Sequence, residues 1–178
     1  MKVAILKEAG YKEALLGLSL SKGCDLEKVA DVAVQLAPKD YGHNKVIESI
    51  YIWLDVTAPR YWWQEADTYR ISSKQSDSTM HTIHKRLLTK GDFEGVITSE
   101  LLNVINGYVS RYRDDRSVEK LVELKNALPE GFLQRRIWVM NYKCLRNILI
   151  QRTTHRLPQW KYFCEYIRKN VEHPELLP

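Results

Sequence analysis

The run Ile50-Tyr51-Ile52-Trp53-Leu54-Asp55-Val56 constrains the fold more than any other stretch of the chain. It alternates aliphatic residues with aromatic or polar ones, the period of a β-strand, and β-favouring side chains dominate it. Pro59 follows, and proline suits the first turn of a helix because its missing N–H would have no partner there. That helix would carry Tyr61-Trp62-Trp63-Gln64-Glu65. The fold therefore needs at least one hydrophobic sheet element beside its helices.

Helical spacing recurs through most of the remaining sequence. Tyr11–Leu20 and Asp25–Leu36 show it, the second through Leu26, Val29, Ala30, Ala33 and Val34. Gly23 and Ala37-Pro38-Lys39-Asp40 punctuate these segments. A polar run from Ser72 to Ser78 precedes a helix that Asp77 or Ser78 would cap, with Met80, Ile83 and Leu87 on its inner face. Ile97–Arg111 and Ser117–Leu128 read as amphipathic helices about the charged turn Arg113-Asp114-Asp115-Arg116, and Leu128-Pro129 ends the second. Phe132–Met140 fits a strand with Gln134 and Arg136 on one side, although a helix fits it too. Asn141–Arg152 and Pro158–Val171 are helical in spacing. No repeat or linker interrupts the chain. The expectation is one helix-rich α+β domain over residues 1–178 with a central antiparallel or mixed sheet.

Charge and special residues narrow the function classes. Lys and Arg number 27 against 22 Asp and Glu, a formal charge of +5 over 178 residues. That excess favours anionic partners such as phosphates, polyglutamates or nucleic acid without choosing among them. No two of the eight glycines are separated by a single residue, which excludes a G-x-G-x-x-G dinucleotide turn. A G-x-x-x-x-G-K-[ST] phosphate loop is missing as well, so any nucleotide must be held by another device. Cys24, Cys144 and Cys164 are scattered and form no C-x-x-C pair. Residues 1–10 hold no long apolar core and no stretch approaches a membrane span, so a cytoplasmic location with no membrane partner is expected. His81 and His84 could share a helix face, but no third ligand follows at suggestive spacing, and no metal site is expected. Arg135-Arg136 and Arg111–Arg116 read as solvated surface, and nucleic acid is not expected as a partner. Tyr61-Trp62-Trp63 reads as core or subunit interface.

Two segments hold polar groups where packing alone would not put them. The first, Glu65 to Met80, combines a carboxylate, Arg70 and a string of hydroxyls. It is either an anion site near Ser78 or a capped, solvated loop. The second is Asn141 to Arg152. Eleven residues at about 100° each return within roughly 20° of the start, so Asn141 and Arg152 would share a helix face with Leu145 and Ile148. Arg152 then either favours the helix dipole and snorkels outward, or pairs with a ligand.

The order and spacing of these residues resemble the flavin-dependent thymidylate synthase family from about residue 43 to residue 160. That family has a histidine and then a Glu ahead of a strand, and His43 and Glu48 precede Ile50–Val56 here. Its signature is Gln or Glu followed by R-H-R-x-x-S-x-N-x-x-S-x-R. Glu65 takes the first place, Thr68-Tyr69-Arg70 stand at R-H-R, Ser73 and Ser78 at the two serines, Gln75 at the Asn and Met80 at the last Arg. An Arg before Leu-Pro is matched by Lys125 before Leu128-Pro129. The family's N-x-R-x-L-x-[HN]-x-L-x-x-R helix is matched by Asn141, Lys143, Leu145, Asn147, Leu149 and Arg152, followed by Gln159-Trp160.

The resemblance implies a homotetramer in which FAD, dUMP and folate meet where subunits join. It implies methylation of a pyrimidine deoxynucleotide, most naturally dUMP, with methylenetetrahydrofolate as carbon donor and NADPH as reductant, and without a cysteine nucleophile. Arg152 and Ser78 are the catalytic residues it implies. Glu65, Ser76, Ser78, Lys125 and Arg152 would bind the substrate. His43, Glu48, Tyr69, Arg70, Asn141, Lys143 and Asn147 would bind the flavin cofactor. Thr68, Tyr69 and Met80 depart from the signature and remove cations that grip flavin and phosphate. The alternative is a non-catalytic or nucleic-acid-associated oligomer that keeps the fold without flavin.

Overall fold

The computed structural model describes residues 1–23 and 25–178; Cys24, and the side chain of Leu26, lie outside the described residues. The elements in order are β1 (Lys2–Ala9), α1 (Tyr11–Lys22), α2 (Leu26–Leu36), β2 (Tyr51–Pro59), α3 (Arg60–Ala66), β3 (Ser72–Ser76), α4 (Thr79–Thr82), α5 (Ser99–Asp114), α6 (Val118–Ala127), β4 (Leu133–Asn141), α7 (Tyr142–Arg152) and α8 (Pro158–Asn170). Short 3-10 turns at Lys45–Glu48, Lys90–Asp92 and Pro174–Leu176 complete the set. The fold is α+β, and its four strands form one antiparallel sheet in the order β1-β2-β4-β3. The sequence left antiparallel and mixed sheets open, and the sheet is antiparallel.

The chain divides into two compact units. One comprises Met1–Lys2, Thr57–Asp67 and Gln75–Arg136; the other comprises Val3–Val56, Thr68–Lys74 and Ile137–Pro178. In the first unit α5 and α6 pack through Ile105, Val109, Tyr112 and Leu124 over Ile83, Leu88, Phe93, Ile97, Leu128 and Phe132. Both helices start on hydroxyl caps, Thr98 accepting from the Leu101 amide at 3.3 Å and Ser117 from the Lys120 amide at 3.4 Å. Such a cap satisfies a first-turn N–H that has no partner within the helix. Trp62 and Trp63 of α3 meet edge to face at 4.9 Å, and the Trp63 indole N–H donates to the Gln134 carbonyl at 3.0 Å. Trp62, Trp63 and Trp160 are all fully buried within the chain. The Tyr61-Trp62-Trp63 cluster is thus largely core and leaves neither tryptophan for a subunit interface.

In the second unit β2 keeps its period: Ile52, Leu54 and Val56 are fully buried, whereas Tyr51 is exposed. β4 runs directly into α7, with Asn141 as the hinge between them. The Asn141 carboxamide oxygen accepts from the Cys144 amide at 2.9 Å and so caps α7. Asn141 therefore precedes the helix and does not share a helix face with Arg152, contrary to the expectation from spacing. Gly10 turns the chain from β1 into α1 at φ 96°, and a Cβ there would lie 2.2 Å from the Ser49 carbonyl oxygen.

Two strands escaped the sequence reading. β1 has only a weak alternation, and β3 is the polar run read as a loop. The helix expected after Ser78 is also shorter than its pattern. α4 ends at Thr82, Ser78 makes no side-chain cap, and Met80 and Leu87 are exposed while Ile83 is buried. A helix of four residues has few aligned peptides to concentrate charge at its start.

Candidate functional site

A cavity of about 520 Å³ opens in the second unit, within the size range of small-molecule and cofactor sites. Three segments build it. The stretch around the 3-10 turn supplies Asp40, Asn44 and Glu48, the segment before β3 supplies Thr68 to Ile71, and the start of α7 supplies Asn141, Lys143, Cys144, Arg146 and Asn147. Lys143, Arg146 and Asn147 share one side of α7 because residues three and four apart are neighbours on a helix. Two of the cations are already paired. Lys143 donates to Glu48, and Arg146 faces Asp40 at 3.5 Å while donating to the Pro38 carbonyl at 2.7 Å. Arg70 is exposed and forms no ion pair among the described residues, which leaves its charge for an anionic ligand.

Tyr69 is the buried wall of this cavity, and Arg152 touches the same ring. The Tyr69 hydroxyl accepts from Arg152 Nε at 2.7 Å and donates to Gln151 Oε1 at 3.0 Å. Gln151 in turn donates to Asn147 Oδ1 at 3.0 Å, closing a chain of polar groups along α7. The Arg152 guanidinium lies 5.5 Å from the Tyr69 ring centroid and 4.9 Å from that of Trp160. Burial raises the Tyr69 pKa, against the lowering effect of the Arg152 hydrogen bond. The phenol therefore stays protonated and serves both as acceptor and as donor. Arg152 does not snorkel away from the fold; it lies folded against two aromatic rings. Burial also pushes the Cys144 thiol up to about 11, so it is no nucleophile at neutral pH.

The first unit holds a smaller basic pocket of about 260 Å³ lined by Arg60, Gln64, Asp67, Thr79, Lys125, Leu128, Gln134 and Arg136. Lys125 donates to the Thr79 hydroxyl. Burial, and then the neighbouring Arg60 charge, lower its pKa, which an arriving anion would reverse. Arg60 faces Glu130 at 3.5 Å and donates to the Leu128 carbonyl at 3.2 Å. Arg136 Nη1 donates to both carboxylate oxygens of Asp67 at 3.0 and 3.1 Å, and the guanidinium lies 4.5 Å from the Trp63 ring centroid.

The structure distributes the sequence-derived site residues between the two units. Glu48, Tyr69, Arg70, Asn141, Lys143 and Asn147 line the larger cavity, and Arg152 stands against Tyr69. His43 is exposed and does not line it. Lys125 lines the basic pocket, whereas Glu65, Ser76 and Ser78, in the same unit, do not. Sequence reasoning missed Asn44, Asp40 and Arg146. Arg146 was within reach, since it falls between Lys143 and Asn147 on the same helix side. Asn44 carries no such signal. No group of three or more His, Cys, Asp or Glu that could hold a metal ion occurs among the described residues, and none of their helices is long and apolar enough to cross a membrane.

No family model matches the sequence, and neither does any curated protein. Solved structures do match in fold. A flavin-dependent thymidylate synthase ThyX from Helicobacter pylori, complexed with FAD and dUMP, superposes with a TM-score of 0.77 at 17% identity, covering 99% of this chain and 98% of that one. A second structure of Thymidylate Synthase X from Helicobacter pylori with FAD and dUMP gives a TM-score of 0.78 at 16% identity, covering 99% and 97%. The chain has the fold of these enzymes over its whole length.

Proposed function

We propose that the chain is a divergent flavin-dependent thymidylate synthase-like enzyme that methylates a pyrimidine deoxynucleotide, dUMP first among the candidates. FAD would be its cofactor, with NADPH and methylenetetrahydrofolate as co-substrates, in a homotetramer. One observation carries the reading. Six of the seven residues that the family resemblance marks for flavin line one cavity of about 520 Å³, although they come from three separate segments. The residues fit part of a flavin nucleotide: Arg70 offers a charge for a phosphate, and the buried Asn44 carboxamide has no partner among the described residues. When bound, FAD supplies the hydride-transfer chemistry that no side chain here can perform.

The protein's own part in the reaction is binding and electrostatics. Lys125, with the Thr79 hydroxyl, would hold a nucleotide phosphate as a point charge in place of an arginine fork. Glu65, Ser76 and Ser78, which lie outside the basic pocket, would contact the substrate only as the family resemblance implies. Arg152, held by Tyr69, would stabilise negative charge on the pyrimidine as its ring carbon becomes nucleophilic. A second reading, a fold-retaining oligomer without flavin, draws support from Met80, which is 53% exposed and supplies no charge where the signature has an arginine.

Titrating the purified protein with FAD, followed by flavin fluorescence and absorption, separates the two. Saturable binding, and then dTMP formation from dUMP with methylenetetrahydrofolate and NADPH, is the expected result. A protein that binds dUMP but never FAD would leave only the second reading.

A further inference from the structure

Asn44 is fully buried, yet among the described residues neither Oδ1 nor Nδ2 has a hydrogen-bond partner. An unpaired carboxamide in a folded interior is costly, because both of its groups have given up water. Its position makes this more telling. Asn44 stands at the N-cap of the 3-10 turn Lys45–Glu48, where an Asn side chain would ordinarily accept from the first-turn amides, but no such bond forms. Two other asparagines show how this chain satisfies the same group. Asn106 exchanges both bonds with the backbone of one residue, accepting from the Leu88 N–H at 2.8 Å and donating to the Leu88 carbonyl at 3.0 Å. Asn141 caps α7. Asn44 does neither, and it lines the cavity.

We propose that Asn44 is a specificity-determining residue of this cavity, pairing through its donor and acceptor with the adjacent N–H and C=O, or NH₂ and ring nitrogen, on one edge of a planar heterocycle. The Asn106–Leu88 pair is the same reciprocal exchange made within the protein. The assignment rests on the flavin-nucleotide reading of the cavity and deepens it. A flavin dinucleotide carries two edges of this kind, the N3–H/C4=O edge of the isoalloxazine and the N6/N1 edge of adenine. Both have the chemistry that Asn44 demands. The surrounding charges, Lys143 with Glu48 and Arg146 with Asp40, are largely matched in pairs. Beside the unpaired Arg70, the Asn44 carboxamide is left without a partner for its donor or its acceptor among the described residues.

Asn44→Leu removes the polar groups at similar volume, and Asn44→Asp keeps the shape while replacing the donor by an acceptor. Calorimetric titration of FAD, riboflavin and ADP into the wild type and both variants, with thermal melts of the ligand-free proteins, tests the assignment. Asn44→Leu should melt at or above the wild-type temperature, since an unpaired carboxamide has been removed. Both variants should bind FAD about ten- to a hundredfold more weakly. A parallel loss for riboflavin places the isoalloxazine at Asn44, and one for ADP places the adenine there. FAD affinity within twofold of wild type in either variant overturns the role of Asn44 while leaving the flavin reading standing. A large drop in the melting temperature of Asn44→Leu overturns it too, because the carboxamide would then serve the fold. A wild type that binds none of the three probes overturns the flavin reading and this assignment together.

Discussion

Arg152 bears on the proposed chemistry more than any other single side chain, and its surroundings decide what its loss should do. An arginine that only complements the helix dipole contributes about 0.3–1 kcal/mol. This one also donates to Tyr69 and lies over Tyr69 and Trp160, adding roughly 0.5–1.5 kcal/mol for the bond and about 0.5–1 kcal/mol for the cation–π contact. Arg152→Ala should therefore lower unfolding stability by about 1.3–3.5 kcal/mol in urea, and calorimetry with dUMP should show a clear loss of affinity. Arg152→Lys keeps the charge near Trp160 but not the planar donor, so it should rescue stability in part and dUMP binding little. Unchanged dUMP affinity in both would remove Arg152 from the substrate site. Cys144 gives a test that needs no substrate. Its thiol is pushed up to about 11, so alkylation by iodoacetamide should accelerate roughly tenfold per pH unit from neutrality upward, and FAD should slow it. The stability consequence has a definite sign. A thiol whose folded pKa exceeds its unfolded value, about 8.5, contributes stability below that value and loses it as pH rises towards the folded one. Cys144→Ala should make the alkaline decline in melting temperature shallower.

Short connections between elements position the site, and they are sensitive points. Asn141 ends β4 and caps α7, the helix that presents Lys143, Arg146 and Asn147 to the cavity. Asn141→Ala should cost about 1 kcal/mol, and Asn141→Asp, which keeps the acceptor, should recover most of it in chemical denaturation. Gly10 is less forgiving. Its positive φ disfavours any side chain, and a Cβ 2.2 Å from the Ser49 carbonyl oxygen requires backbone to move. Gly10→Ala should lower the melting temperature by an amount corresponding to more than about 1 kcal/mol. A melting curve coincident with wild type would show that the turn relaxes freely. β3 teaches a different lesson about elements. Its Ser-Ser-Lys-Gln-Ser sequence has little strand propensity, and it becomes a strand by joining the sheet at its edge beside β4.

At the scale of the whole molecule, the likeness to solved enzymes is one of fold across nearly the full length of both chains. The homotetramer belongs to the proposed function. The buried tryptophans no longer argue for it, because one chain encloses them. Light scattering at micromolar concentration should nonetheless give four times the monomer mass. A monomer that still binds FAD and dUMP would sink the shared-subunit site while leaving the cofactor reading intact.

What the sequence determined by itself were the elements whose pattern is local. The alternation of Ile50–Val56 gave β2, the 3.6-residue spacing gave α1, α2 and α5 to α8, and hydroxyls at Thr98 and Ser117 stand where capping places them. Each follows from contacts between near neighbours in the chain, or from which face must leave water. The family resemblance, rather than the spacing, marked Asn141, Lys143 and Asn147, which line one cavity, and Arg152, which lies against its Tyr69 wall. The tertiary structure alone decided the rest. β3 has no apolar pattern to announce it and exists through hydrogen bonds to a distant strand. Met80 and Leu87 continue a helical pattern that the chain does not follow past Thr82. Arg152 lies over Tyr69 and Trp160, residues that only folding brings to it. Asn44 looks in sequence like any other turn asparagine, because burial without a partner is a property of what surrounds a side chain and not of the chain that carries it.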